Sequence, residues 1–135
     1  MNTYYVDTSK SPRTAIVQSS SISPINIPDV ILGDNLLMSI RFLNNGNPET
    51  WNGDLNHNLK LVIGSYAAGA YATSSNWVAS ASYGYTGSLN LDTGSLTNVM
   101  GNNNNINATF ELQVTDERNY LRTYVSQPIV IWNKI

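Results

Sequence analysis

Residues 108–126 read ATFELQVTDERNYLRTYVS. In the first half apolar and polar side chains alternate, so a strand here turns Ala108, Phe110, Leu112 and Val114 to one face. The polar run DERN then supplies turn-forming residues, and a second alternating segment follows it. Two such segments joined by a short turn predict an antiparallel β-hairpin with one buried face.

The same kind of pattern recurs along most of the chain. Further strands are predicted at residues 36–42, 59–65, 77–85 and 129–132. A single helical turn containing Leu96, Val99 and Met100 is predicted after Asp92 or Thr93, either of which can cap it. Short strands separated by Gly, Asn, Asp and Pro turns predict an all-β fold, an antiparallel β-sandwich of about seven to eight strands.

Composition agrees with a single β-rich domain. The chain has 135 residues, of which 41% are hydrophobic, so a core is possible without staples. Charged residues make up only 12%, whereas Asn, Ser and Thr number 19, 15 and 11. These three residue types favour turns and strand faces over helix interiors.

Several partner classes are disfavoured by charge and hydropathy. The net charge is −2 and the seven Lys and Arg are dispersed, so no basic patch for nucleic acid is expected. Apolar runs are far shorter than the roughly 20 residues of a membrane-spanning helix, and the N-terminus lacks the features of a signal peptide. Without cysteine, disulfides and thiolate metal sites are excluded. We expect no membrane insertion and no cofactor.

The first 24 residues differ from the rest of the chain. Pro and Ser separate their apolar side chains from the first strand of the predicted sandwich, which spans residues 25–135. One interpretation is a loosely ordered tail. The other is an extended N-terminal arm that adds a strand to a neighbouring subunit. The residues expected to make that contact are Tyr4, Tyr5, Val6, Ile16 and Val17.

No group of residues matches a known catalytic arrangement. The single histidine, His57, has no serine or carboxylate at an expected spacing. Asp54 begins a segment that resembles a calcium loop, but Leu59 and Ser65 occupy the positions that need Gly and Glu. The adjacent carboxylates Asp116 and Glu117 fit a hairpin turn better than a glycosidase pair. We therefore expect no enzymatic activity and no metal site.

Aromatic residues form the one candidate binding site. They cluster around a connection rich in Gly and Ala, and exposed rings beside Asn and Ser would suit stacking against sugars. The alternative is that the same rings form sheet core or a protein interface, where aromatic residues are enriched. The candidate residues are Tyr66, Tyr71, Trp77, Tyr83 and Tyr85.

The order of strands and turns over residues 30–133 resembles bacteriophage tail and baseplate proteins, and is most similar to the N-terminal β-sandwich domain of phage upper baseplate proteins. The segments that carry the resemblance are the Gly33-Asp34 turn, LMSIRF, the GNP turn, LKLVIG, YTGSLNLDT, FELQVTD and QPIVIWN. They are patterns of strands and turns without a diagnostic catalytic residue.

The resemblance implies a structural role in the virion. It implies a domain that forms homo-oligomers, with a trimer favoured, and that holds other virion proteins. Members of the family usually continue into a helical or receptor-binding region, whereas this chain ends three residues after Trp132. An adaptor, collar or decoration is therefore expected, with contact to a host surface glycan as the alternative role.

Overall fold

A computed structural model describes residues 2–18, 23–49, 58–65, 69–74, 77–79, 84–116 and 118–134. Within them are eleven strands and one helix. The strands are β1 (Asn2–Asp7), β2 (Ile16–Val17), β3 (Val30–Ile31), β4 (Asn35–Asn44), β5 (Asn47–Pro48), β6 (Asn58–Ser65), β7 (Gly69–Ser74), β8 (Val78–Ala79), β9 (Gly84–Asn90), β10 (Asn105–Thr115) and β11 (Leu121–Trp132), and the helix is α1 (Gly94–Met100).

The strands form two sheets that enclose one core. The first sheet has the order β2-β1-β4-β9-β8, with β5 paired to β4, and the second has the order β3-β11-β10-β6-β7. Most neighbours are antiparallel, but β1 with β4 and β3 with β11 are parallel. The all-β sandwich is confirmed, with more strands than predicted and with mixed sheets.

The hairpin predicted over residues 108–126 buries the predicted face of its first strand. Ala108, Phe110, Leu112 and Val114 are buried, while the residues between them are partly exposed. β10 pairs with β11 on one side and with β6 on the other, which makes it the central strand of the second sheet. The turn is held by Asp116, whose Oδ1 accepts hydrogen bonds from the backbone N–H groups of Arg118 and Tyr120.

The short helix is also confirmed, and one predicted strand is wrong. Thr93 caps α1, since its hydroxyl accepts a hydrogen bond from the Leu96 N–H. The continuous strand predicted over residues 77–85 is instead two strands, β8 and β9, which pair antiparallel so that Val78 lies opposite Thr86. Alternation at every second residue is preserved on both sides of a hairpin, so the pattern alone did not reveal the reversal.

The N-terminal segment is part of the sandwich. β1 lies beside β4 from Met38 to Leu43, and β2 pairs with β1. Val6, Ile16 and Val17 are each 1% exposed. The expectation that Pro and Ser keep these side chains apart from the sandwich is therefore wrong, and strand pairing crosses the predicted boundary at residue 25. A role of this segment in assembly stays a prediction.

Gln127 fastens the same segment to the second sheet. Its side chain points into the core from β11 and is 4% exposed. Gln127 Oε1 accepts a hydrogen bond from the Ile27 N–H at 3.1 Å, and its Nε2 donates to the carbonyls of Arg13 and Ile25 at 3.2 and 3.4 Å. A buried amide is stable only when its donors and acceptors are matched in this way.

The outer edge of β11 is closed by residues that precede β4. The Ser126 N–H donates to the Pro12 carbonyl, and the Val130 N–H donates to Asp29 Oδ1. Pro128 lies between them and has no N–H to donate, as expected for the residue that marks an edge. These contacts occupy backbone groups that a strand of another molecule would need in order to pair with this part of the edge.

Candidate functional site

The described members of the predicted aromatic cluster lie mainly in the interior. Tyr71 and Tyr85 are 8% and 7% exposed. The Tyr85 ring meets the edge of the Phe42 ring, with centroids 6.3 Å apart and an angle of 79° between the planes. These two tyrosines therefore pack within the core and present no face to a sugar. Tyr66 and Tyr83 lie outside the described residues.

Trp77, the third described member of the cluster, packs against the core. A Cβ placed on Gly87 would come within 2.6 Å of the indole Cδ2 and 2.7 Å of Cε3, so the ring occupies the space that a side chain at position 87 would take. Its Nε1 is buried and has no hydrogen-bond partner among the described residues. A ring enclosed on this side cannot act as a stacking platform there.

The residues considered for chemistry do not form a site in the described part of the chain. His57, Asp54 and Glu117 lie outside it, and Asp116 serves the hairpin turn. Among the described side chains, no group of three or more His, Cys, Asp or Glu is placed to hold a metal ion. Nor do these ranges contain a helix with the length and apolar character needed to cross a bilayer.

Asp7 is a buried carboxylate with a structural task. It is 0% exposed. Its Oδ1 accepts hydrogen bonds from Ser9 N–H, Ser9 Oγ and Asn45 N–H at 3.0, 2.5 and 3.0 Å, and its Oδ2 accepts one from Gly46 N–H at 3.0 Å. Asn45 and Gly46 have φ of 52° and 86° and form the turn between β4 and β5.

These contacts set the protonation of Asp7. Burial raises the pKa of its carboxyl, but the hydrogen bonds from Ser9, Asn45 and Gly46 outweigh burial, so the net pKa lies below the ordinary 3.8. The ionised carboxylate is thus the form that holds the β4–β5 turn against β1. With no exposure it cannot reach a substrate.

The most accessible large aromatic ring on a described strand is at the end of β11. Trp132 is 44% exposed, and Ile31, its partner in the parallel pairing with β3, is 46% exposed. The Trp132 Nε1–H donates to Asp29 Oδ2 at 3.2 Å. Together these residues line an open depression, called here the Trp132 surface, whose members are Asp29, Ile31, Asn104, Trp132, Asn133 and Lys134.

Backbone and amide contacts fix the loop that borders this surface. The Asn133 N–H donates to the Asn104 carbonyl at 2.9 Å, and Asn133 Nδ2 donates to the Asn103 carbonyl at 2.8 Å. The loop after α1 is therefore attached to the end of β11. Asn104 has no side-chain hydrogen bond with the rest of the described chain.

Comparison with known proteins finds similarity to a solved structure. A solved structure, the N-terminal domain of phage TP901-1 ORF48, matches over 100% of this chain and 100% of that chain, with 12% sequence identity and a TM-score of 0.43. The chain is similar to a phage protein, as its sequence predicted. No protein family and no curated protein matches it. At this identity and TM-score the similarity assigns no function by itself.

The sequence does not predict the Trp132 surface, because its residues come from distant parts of the chain. Trp132 was visible only as the end of the closing strand, and Asp29 only as the residue after a proline. They are 103 positions apart, and the β3–β11 pairing that brings them together is parallel. A parallel contact between the two ends of a domain has no local sequence signal.

Proposed function

We propose that this protein is a non-enzymatic structural component of a bacteriophage virion, in the tail, the baseplate or a fibre-attachment adaptor. It acts by homo-oligomerisation, with a trimer favoured, and by contacts with other virion proteins.

The proposal is supported by hydrogen bonds between the segments that carry the resemblance to phage proteins. Three of them are distant in sequence: the Gly33-Asp34 turn, the end of YTGSLNLDT and the end of QPIVIWN. Gly33 N–H donates to the Leu91 carbonyl at 2.9 Å, and Leu91 N–H donates to the Asp34 carbonyl at 2.8 Å. Leu32 N–H donates to the Trp132 carbonyl at 2.8 Å. The segments on which the phage resemblance rests thus form one hydrogen-bonded corner of the sandwich.

Gly33 explains why such a corner needs its particular residues. Its φ is 92°, a left-handed conformation that glycine adopts without strain. This conformation lets the turn leave β3, contact Leu91 and enter β4 within three residues. The turn is thus a structural requirement of this topology, which fits a resemblance made of turns and strands rather than of reactive groups.

The buried polar side chains also fit a structural role. Asp7 and Gln127 use their oxygens and amide on backbone groups of the protein itself. They secure turns and segments, and with 0% and 4% exposure they are closed to a substrate.

The test is to locate the protein in purified particles. Virions from a lysate of the source phage are banded on a density gradient, probed with an antibody to the chain, and imaged by immunogold electron microscopy. We expect the chain in the particle fraction and label at the tail. A non-virion phage protein from the same lysate controls for contamination.

Oligomerisation is tested separately on the purified chain. Light scattering coupled to size exclusion should give a mass that is a multiple, three being favoured, of the 14.8 kDa of one chain. A protein that is absent from banded particles and monomeric at all concentrations would contradict the proposal.

A further inference from the structure

We infer that the Trp132 surface is a binding site for a neutral saccharide, with the indole face as the platform for one pyranose ring. This goes beyond the proposed structural role and places the sugar contact away from the aromatic cluster that the sequence suggested.

The first argument is the presentation of the ring. Trp132 is the large aromatic side chain at the exposed end of β11, and its 44% exposure leaves an indole surface open to solvent. Ile31 lies beside it on the paired strand and extends the apolar area. The C–H face of a pyranose is apolar and carries slight positive charge, so it complements the negative face of an indole.

The second argument is that the ring is held in place before any ligand arrives. Trp132 Nε1–H donates to Asp29 Oδ2, and the other oxygen of Asp29 accepts the Val130 N–H at 3.3 Å. The carboxylate thus ties the indole edge to the backbone of its own strand. A side chain that is already ordered loses little entropy on binding, which favours a weakly held ligand such as a single sugar.

The third argument is the polar border. Asn104 and Asn133 are among the residues that line the depression, and a side-chain amide can both donate to and accept from a sugar hydroxyl. Asn133 uses its Nδ2 on the carbonyls of Gly101 and Asn103, which leaves its Oδ1 free to accept. The carboxylate of Asp29 and the ammonium of Lys134 offset one another in charge. The surface therefore suits a neutral ligand better than a phosphate or a nucleic acid.

The fourth argument is size. A stable protein interface takes roughly 20–30 residues a side. Six residues line the Trp132 surface, and two of them are exposed large hydrophobic side chains. A depression of this kind can hold one sugar ring with its hydroxyls, and a saccharide is the occupant we choose; a protein partner is an outcome of the test.

The test uses the full chain and four named probes: methyl α-D-glucopyranoside, methyl β-D-galactopyranoside, methyl α-L-rhamnopyranoside and N-acetyl-D-glucosamine. Each is titrated to about 100 mM while the indole N–H signals are followed by NMR. We expect at least one probe to shift the Trp132 signal saturably, with a Kd of about 1–10 mM, and to leave the Trp77 signal unchanged.

Variants separate the site from the fold. Because Trp132→Ala removes the indole signal, binding by the parent and the variants is compared through the backbone amide signal of Asn133. Trp132→Ala should weaken binding at least about tenfold, and Asn104→Ala, a change at an exposed side chain, about threefold. Val78→Ala, at a 70% exposed position on the other sheet, is the matched control and should bind as the parent does.

Three results would overturn the inference. They are no shift of the Trp132 signal with any probe, unchanged affinity in Trp132→Ala, or an oligomer that dissociates in Trp132→Ala because the surface is covered by protein. Detection of the chain in virions does not depend on any of these, so the two proposals can fail separately.

Discussion

The absence of a side chain at Gly87 leaves room for the ring of Trp77. The Trp77 ring lies 2.6–3.0 Å from the place where a Cβ on Gly87 would be. Because the neighbouring atoms belong to a rigid ring, a methyl group here forces the indole or the strand to move. This contact is the reason that Trp77 packs against the core rather than standing out as a sugar platform.

We predict that Gly87→Ala lowers the free energy of unfolding by about 1–3 kcal/mol, the usual effect of overpacking. Urea denaturation followed by tryptophan fluorescence measures it. Gly94→Ala is the control, since nothing lies within 4 Å of a Cβ at that position of α1. We expect this control to be neutral or slightly stabilising. Equal stability of Gly87→Ala and the parent would show that the ring is not confined.

Asp7 makes the stability of the fold depend on pH. Burial raises the pKa of its carboxyl, but hydrogen bonds to the charged form lower it by more, so the net pKa lies below 3.8. A lowered pKa means that ionised Asp7 stabilises the fold at pH values above its unfolded pKa of about 3.9. This stabilisation is lost as the pH falls from there through the folded pKa.

We therefore predict that the free energy of unfolding of the parent falls below about pH 4, and falls less steeply in Asp7→Asn. At neutral pH the variant is less stable, because an amide replaces an acceptor facing the Asn45 and Gly46 N–H groups. Denaturation curves at successive pH values measure both effects. Asp92→Asn, at an exposed position, is the control. Parallel pH profiles of parent and Asp7→Asn would contradict the assignment.

Alternation along a strand shows which residues share a face, but not whether that face is buried or exposed. It correctly places Phe110 with Leu112 and Val114. For β10 the polar residues between them mark the outer face. Around Tyr85 the intervening residues are small, so the sequence does not say which face is covered. The buried state of Tyr71 and Tyr85 therefore follows only from the packed structure.

At the scale of elements, β11 joins the two parts of the chain. It pairs along its length with β10, it binds the N-terminal segment through Gln127 and Ser126, and its Val130 N–H donates to Asp29. Gln127 is the buried member of this group. Its amide oxygen accepts the hydrogen bond of the Ile27 N–H. Because Gln127 is buried, water does not replace this acceptor.

We predict that Gln127→Met, which keeps the length but removes the hydrogen bonds, lowers the free energy of unfolding by about 1–3 kcal/mol, because the buried Ile27 N–H loses its acceptor. Chemical denaturation measures the loss, and hydrogen exchange at Ile27 should speed up. Gln113→Met, on the outer face of β10, is the matched control. An unchanged exchange rate at Ile27 would show that the amide is not its essential partner.

Antiparallel neighbours were predictable and parallel ones were not. β10 and β11 are joined by a short turn, so their pairing can be read from adjacent segments. β1 and β4 are separated by the whole of residues 8–34, and β3 and β11 by most of the chain. Pairing over such distances depends on the packing of the complete sandwich. That is why the N-terminal segment reads as an arm in the sequence and is a strand in the structure.

At the scale of the whole molecule, exposed apolar side chains lie at both ends of β11. Trp132 with Ile31 is at one end, and Leu121 with Tyr120, 61% and 66% exposed, is at the hairpin end. The twelve residues of β11 separate them by roughly 36 Å at the rise of an extended strand. A saccharide on the Trp132 surface would thus leave the hairpin end available for the proposed contacts with virion proteins.

The N-terminal segment provides the decisive test of the fold as a unit. Burying a Val or Ile side chain contributes roughly 1.5–3 kcal/mol, so Val6, Ile16 and Val17 together represent about 5–9 kcal/mol. This is comparable with the whole 5–15 kcal/mol by which a domain is stable. We predict that deletion of residues 1–18 abolishes cooperative thermal unfolding, measured by near-ultraviolet circular dichroism.

Adding a synthetic peptide of residues 1–18 should restore the signal, because β1 can pair again with the exposed edge of β4 at Met38–Leu43. The same peptide with Val6→Asp and Ile16→Asp is the control and should not restore it, since both side chains are buried. A deletion variant that melts within about 2 °C of the parent would show instead that the segment is dispensable for folding, as an arm would be.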